Sequence, residues 1–275
     1  MLKLLGQAGQ ALRIGVTRDS VCLVRTTRWG RGAPQLLGEQ ACAGVGDAAI
    51  GTALAALLAG AGDGVAGLPA SVVLADDLLR LWLVTPPPGV ARLADLEAAA
   101  ALRFQTLYGE SAAGWKVTAD WRSTRPFCAA AVPLPLLMML EQGAAARQLA
   151  LVAVLPHFID AWNRWSGALQ PGAWFGQLSG QVLTLGVSPQ RGRLHAVRTL
   201  ALPAGPDLLA LMLQREALLL DVPAPSLLQV AGPLPASWQR PAVAGALMLR
   251  RLSHAAHPAA GLSTAAALVM AGAPA

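Results

Sequence analysis

Asp76 and Asp77 are the only adjacent acidic pair in the chain. Paired carboxylates can hold a cation or share acid–base work, but both roles need converging partners. Leu74-Ala75 and Leu78-Leu79 on either side supply none. The pair therefore reads as a polar turn between two strands. His254 and His257 stand three apart without a carboxylate or cysteine beside them, so they do not compose a metal site. Three cysteines, Cys22, Cys42 and Cys128, are odd in number, widely spaced and set among apolar residues. They read as buried free thiols. No serine sits in a G-x-S-x-G turn, and no G-x-x-x-x-G-K-[ST] phosphate loop occurs. Lysine is confined to Lys3 and Lys116, neither in the setting of a catalytic amine. The expectation is a chain with no catalytic residue and no metal.

The net charge of +6 is carried mainly by arginine. Arg25, Arg28 and Arg31 surround Trp29; Arg191 and Arg193 flank Gly192; Arg250 and Arg251 are adjacent. Arginine interleaved with aromatics can grip nucleic acid. These clusters are short and scattered, so solvated turns are the better reading and no nucleic-acid partner is expected. Contact with acidic lipid headgroups stays open. Trp and Arg dominate interface hot spots, which makes Arg25, Arg28, Trp29 and Arg31 the candidate partner-binding set. Trp162 and Trp165, three apart, share one helix face and read first as core, with an exposed partner patch as the alternative.

The elements that would position these residues follow from periodicity. More than half of the 275 residues are apolar and only 13% are charged, with a mean hydropathy of +0.49. Much of that excess is Ala and Leu. The apolar runs at 48–65 and 262–273 are broken or too short for a membrane span, which takes about 20 residues. Lys3 is followed by too short an apolar run for a secretory leader, so a cytoplasmic location is expected. Residues 12–27 alternate as two strands around a turn at Thr17–Ser20, with a further strand at 35–43. Helices are predicted at 48–61, 93–108, 134–143, 156–165, 206–220 and 262–271. Strands are predicted at 71–74, 78–84, 116–121, 127–132, 150–154, 173–178, 182–187, 192–200 and 227–230. Each half opens on a β-hairpin, which gives an α/β class with a division near residue 168: a first lobe at 1–168 and a smaller second at 169–275.

The order of these elements resembles the actin-like pilus and secretion assembly proteins: PilM, the cytoplasmic domain of GspL, and the MSHA biogenesis protein MshI. The resemblance runs through the hairpin at 12–27, the segment VVLADDLLRLWLV at 72–84 with its proline stop, and the helix at 93–108. It continues through the strand–strand–helix at 116–140, the strand–Pro–helix at 152–162, and the second hairpin within 174–200. The turn at 227–232 and the closing helix at 261–271 complete it.

That resemblance implies a two-lobed fold of the actin/Hsp70, ribonuclease H-like type with a nucleotide cleft, here degenerate. In active members an acid after the first strand helps hold Mg²⁺, and the hairpin turns cradle phosphates. That acidic position falls on Gly15 here. The turn is Thr17-Arg18-Asp19-Ser20, and the second hairpin, residues 175–180, holds no acid. What remains of a nucleotide site would be Thr17, Ser20, Ser179, Gly180 and Gly232. The function so implied is a non-catalytic cytoplasmic scaffold of a type IV or MSHA-like pilus, or of a type II secretion platform at the inner face of the inner membrane. Its partners would be the short cytoplasmic tail of an inner-membrane protein and an assembly ATPase, and it would need no cofactor. The alternative is an actin-like ATPase or kinase-like protein that binds ATP, with or without hydrolysing it.

Overall fold

The computed structural model describes residues 9–27, 33–90, 92–188, 193–232, 234–239, 247–252 and 263–270. Two five-stranded sheets dominate it. The first contains β1 (Gln10–Val16), β2 (Ser20–Thr27), β3 (Gln35–Ala41), β4 (Pro69–Leu74) and β8 (Ala150–Pro156), in the order β3-β2-β1-β4-β8. The second contains β9 (Trp174–Ser179), β10 (Val182–Val187), β11 (Ala196–Ala201), β12 (Leu227–Ala231) and β13 (Met248–Leu252), in the order β11-β10-β9-β12-β13. The two orders are the same pattern written twice. Three antiparallel strands form a meander, and the first of them carries two further parallel strands on its other side. A third, smaller sheet runs β5-β7-β6, from β5 (Arg80–Val84), β6 (Trp115–Ala119) and β7 (Phe127–Pro133).

Six helices accompany these strands among the described residues: α1 (Asp47–Gly60), α2 (Leu93–Tyr108), α3 (Leu134–Ala146), α4 (His157–Trp165), α5 (Pro206–Leu219) and α6 (Thr264–Met270). The sequence pattern accounts for most of them. Leu96, Ala100 and Phe104 recur every four residues and are the buried positions of α2. Pro206 opens α5, where its missing N–H costs nothing.

Compact packing divides the chain into two discontinuous units: residues 1–79, 132–160 and 254–275, and residues 80–131 with 161–253. The expected boundary near residue 168 does separate the strands of the two large sheets, but it is not where the units divide. The small sheet of residues 80–131 joins the second unit because β5 packs beside β11. The C-terminal helix α6 joins the first because it packs on β1 and β2.

In the first unit the strand period assigns helices to faces. Gly38 approaches Leu57 of α1, and Gly38 pairs with Leu23, which pairs with Ile14. Gly15 and Cys22, one residue along, face the other way, where Gly15 meets Ala265 of α6. The sheet is therefore covered on both faces. Its centre is apolar, with Leu12, Ile14, Val16, Leu23, Val72 and Leu74 all buried.

The second unit has two cores. One lies between the second sheet and α5, from Leu178, Leu183, Leu185, Leu209, Leu213 and Leu228. The other is aromatic, under α2: Trp82 and Phe104 meet edge-on at 5.2 Å, and Trp115 closes on Phe104 at 5.4 Å. Such pairs add roughly 1 kcal/mol each beyond their buried area. Arg80 lies over both Tyr108 and Trp115, and the Tyr108 hydroxyl donates to the Leu81 carbonyl at 2.9 Å. Trp162 is buried against Phe175 at 5.8 Å, and Trp165 is half-buried, so the first of this pair is core as expected.

Candidate functional site

The first hairpin turn is closed on itself. The Thr17 N–H donates to the Ser20 carbonyl at 2.9 Å, and the Thr17 hydroxyl donates to the same oxygen at 3.0 Å. That hydroxyl also accepts from the backbone N–H groups of Ser20 at 3.0 Å and Asp19 at 3.3 Å. Thr17 is itself buried. A phosphate cradle works by presenting free backbone N–H groups. Three such groups of this turn, those of Thr17, Asp19 and Ser20, already have acceptors inside it. Thr17 and Ser20, expected as remnants of a nucleotide site, hold the turn together. The next side chain out, Arg18, reaches Asp77: its Nε donates to Oδ2 at 2.6 Å and its Nη2 to the Asp77 carbonyl at 2.6 Å.

Gly15 is the position at which the resemblance implies a metal-organising acid, and its surroundings leave no room for one. A Cβ built there would lie 2.2 Å from the Ala265 carbonyl oxygen of α6 and 2.9 Å from Cys22 Sγ. The nearer obstacle is helix backbone, which cannot rotate away as a side chain could. α6 is held on the sheet by Ala265, Ala266, Leu268 and Val269, all buried. The space for the acid is thus filled by main chain. The buried Cys22 thiol beneath is pushed up to about 12 by desolvation.

Asp76 and Asp77 lie in a turn between two strands, as the sequence suggests, but Asp76 is buried. They form a short 3-10 turn after β4, and Asp76 is only 1% exposed. Its Oδ1 accepts the Phe158 N–H at 2.9 Å, in the first turn of α4. A carboxylate at a helix N-terminus satisfies an orphan donor and complements the positive end of the helix dipole. The contact spans 82 residues, and nothing in the local sequence signals it. A further ion pair, Arg13 Nη2 to Asp160 Oδ2 at 2.8 Å, ties β1 to the same helix.

The second hairpin differs from the first. Its turn is Gly180-Gln181, within the gap left between the predicted strands at 173–178 and 182–187, and Gly180 takes a left-handed φ of 56°. Gln177 is 1% exposed, and its Nε2 donates to the Leu178 carbonyl at 3.0 Å and the Ala231 carbonyl at 3.2 Å. Gln177 Oε1 and the buried Ser179 hydroxyl have no hydrogen-bond partner among the described residues. Gly232 sits beside them with φ 102°, where a Cβ would meet the Leu178 carbonyl at 2.9 Å. Gly232 is required by the backbone alone, whatever binds nearby. Sequence reading named Ser179, Gly180 and Gly232 but missed Gln177, whose burial follows from its place on the central strand of the sheet.

Of the candidate partner surface, Arg28, Trp29 and Arg31 lie outside the described residues. Arg25 is half-buried on β2 opposite Leu12 and Gln35, with its Nε shielded from solvent. It is a strand residue rather than part of an exposed loop. The cysteines are free, but only Cys22 is fully buried; Cys42 and Cys128 are partly exposed. His254 and His257 also lie outside the described residues. Among the described residues no three His, Cys, Asp or Glu side chains converge on a common point. No helix there is long and apolar enough to cross a membrane.

No family model matches the chain, and no curated protein matches it. Solved structures do. A Bacteroides thetaiotaomicron protein described as having an actin-like ATPase fold and unknown function superposes with a TM-score of 0.59, at 11% identity over 86% of this chain and 87% of that one. The fold is actin-like. The cytoplasmic domain of EpsL, an inner-membrane component of the type II secretion system of Vibrio cholerae, superposes with a TM-score of 0.57 at 13% identity, over 88% of this chain and 90% of that one. A PilM–PilN type IV pilus biogenesis complex matches at 16% identity over 76% of this chain and 65% of that one, with a TM-score of 0.44. The actin-like fold expected from the order of elements is therefore the fold observed, and the repeated 3-2-1-4-5 strand order is its visible signature. Against that fold, the first hairpin does not fit a magnesium–phosphate group: no acid stands at residue 15, a side chain there would meet main chain, and three of the turn amides already have acceptors.

Proposed function

We propose that this chain is a non-catalytic scaffold in a membrane-associated assembly platform of the type II secretion or type IV/MSHA-like pilus kind. The observation that carries the reading is the Ala265 carbonyl filling the place of the missing acid beside Gly15. An actin-like fold whose metal position is closed by its own backbone is suited to binding partners rather than to turning over ATP. The fold shared with the EpsL cytoplasmic domain supports the choice of machine. The partner would be the short cytoplasmic tail of an inner-membrane protein, with an assembly ATPase as a second partner. Neither cofactor nor nucleic acid enters this reading, and the protein would work at the inner face of the inner membrane.

Isothermal titration of the full chain with a synthetic tail peptide of the inner-membrane partner tests it. Binding with a Kd of ~10 μM supports the reading, and no binding at several times that concentration counts against it. Differential scanning fluorimetry with Mg-ATP and a phosphate-release assay form the second arm. The expected result is an unchanged midpoint and no turnover.

A second reading is favoured by one observation, the unpartnered Ser179 hydroxyl and Gln177 Oε1 in the second hairpin. These atoms, with Gly180 and Gly232, could hold a nucleotide without hydrolysing it. That reading predicts thermal stabilisation by ATP that is indifferent to Mg²⁺ and lost in Ser179→Ala with Gln177→Leu.

A further inference from the structure

Strand β13 was invisible to sequence reading, which took Arg250 and Arg251 as scattered surface charge. The structure makes them neighbours on the last strand of the second sheet. β13 runs parallel to β12 in unbroken register, from Leu227↔Met248 to Ala231↔Leu252. Its other edge pairs with no strand among the described residues.

Sheet edges are usually blunted by short strands, charged side chains, proline, a bulge or a covering element, and on β13 the two arginines are such a device, one that leaves the edge open to an oppositely charged strand. β13, Met-Leu-Arg-Arg-Leu, has no proline or glycine, and its ladder to β12 shows no register shift. Met248 is 62% exposed, and Arg250 and Arg251 are exposed. Neither arginine has a hydrogen-bond or ion-pair partner among the described residues. The neighbouring β12, Leu-Leu-Gln-Val-Ala, offers no counter-charge. The imbalance extends beyond the strand. Residues 80–131 and 161–253 hold 14 basic against 7 acidic side chains, while the other unit holds 7 against 8. All of the chain's excess positive charge thus belongs to the unit that contains this edge.

We propose that the β13 edge binds an extended acidic peptide segment as an added strand. The open edge supplies main-chain N–H and C=O groups, and the two arginines select the occupant by charge. Successive strand residues point to opposite faces, and directly opposed residues share a face. The segment therefore needs two consecutive acidic residues, one for Arg250 and one for Arg251, with apolar residues opposite Leu249 and Leu252. A second copy of this chain is a poor occupant, since antiparallel self-pairing sets arginine against arginine. A lipid surface is also a poor one, because arginines on opposite faces cannot both lie on one plane. The inference does not depend on the scaffold reading; it stands on β13 and its charges alone.

Fluorescence anisotropy with the full chain tests it. The probe is a short labelled peptide with the core Val-Val-Asp-Asp-Val, compared with the same peptide carrying Lys for both Asp and with oligoglutamate of equal length. The first peptide is expected to bind best. Arg250→Glu with Arg251→Glu should weaken it at least about tenfold and reverse the preference toward the Lys peptide. That reversal also shows that the variant is folded. N-methylation of alternate peptide amides should abolish binding. Four outcomes would overturn the proposal: oligoglutamate binding as tightly, no loss in the double variant, indifference to N-methylation, or displacement of the peptide by phosphatidylglycerol vesicles or by self-association of the chain.

Discussion

Gly15→Ala and Gly15→Asp together test whether the metal position is closed by main chain. The Ala265 oxygen lies 2.2 Å from where the new Cβ must go, against the 3.0 Å that real Cβ atoms keep. α6 must therefore retreat by roughly 1 Å, which loosens the close packing of its four buried residues on β1 and β2. Overpacking a core in this way costs about 1–3 kcal/mol, and the backbone obstacle places Gly15→Ala at the upper end. Gly15→Asp adds a buried carboxylate facing a carbonyl oxygen and a thiol, with no cation beside it. An uncompensated buried charge costs a further ~3–5 kcal/mol, a large part of the 5–15 kcal/mol that typically holds a domain together. At about 2–4 °C per kcal/mol, Gly15→Ala should lower the melting midpoint by roughly 5–10 °C, and Gly15→Asp by more or to the point of insolubility. The assay is thermal and urea denaturation followed by circular dichroism, with and without Mg-ATP. Gly15→Ala at wild-type stability would refute the packing argument. Mg²⁺-dependent stabilisation of either variant by ATP, beyond that of the wild type, would refute the claim that the first hairpin cannot hold a phosphate.

Two further outcomes follow from neighbouring residues. Asp76→Ala removes the acceptor of the Phe158 N–H and should cost about 1–2 kcal/mol by urea denaturation, with Asp76→Asn recovering part of it because one acceptor oxygen is kept. The Cys22 thiol, pushed up to about 12 from its ordinary value of 9.0 by burial, stays protonated in the folded chain after it would ionise in the unfolded one. Its contribution is complete below pH 9 and is lost as pH rises toward 12, so stability should fall across that window. Cys22→Ala should flatten the fall, and a thiol reagent should label Cys22 only in denaturant.

The fold was largely legible in the sequence because its signals are local. Alternation marked the hairpins at residues 12–27 and 173–187, four-residue spacing marked α2, and prolines and glycines marked most boundaries. β13 was not legible: five residues with two adjacent arginines have no period, and only pairing with β12 makes them a strand. The burial of Asp76 was not legible for a related reason. Its environment is set by α4, which lies more than eighty residues along the chain.

The missing acid at residue 15 was determined by the sequence alone, since a glycine cannot hold a cation. What the sequence could not say is why the position tolerates nothing else. That was decided by tertiary structure, because α6 is far away in the chain and its carbonyl reaches Gly15 only once the helix has packed across β1 and β2. Composition likewise determined the excess of arginine. Only the sheet decided that two of those arginines stand on opposite faces of its last strand, since strand alternation has meaning only after the strand has a partner.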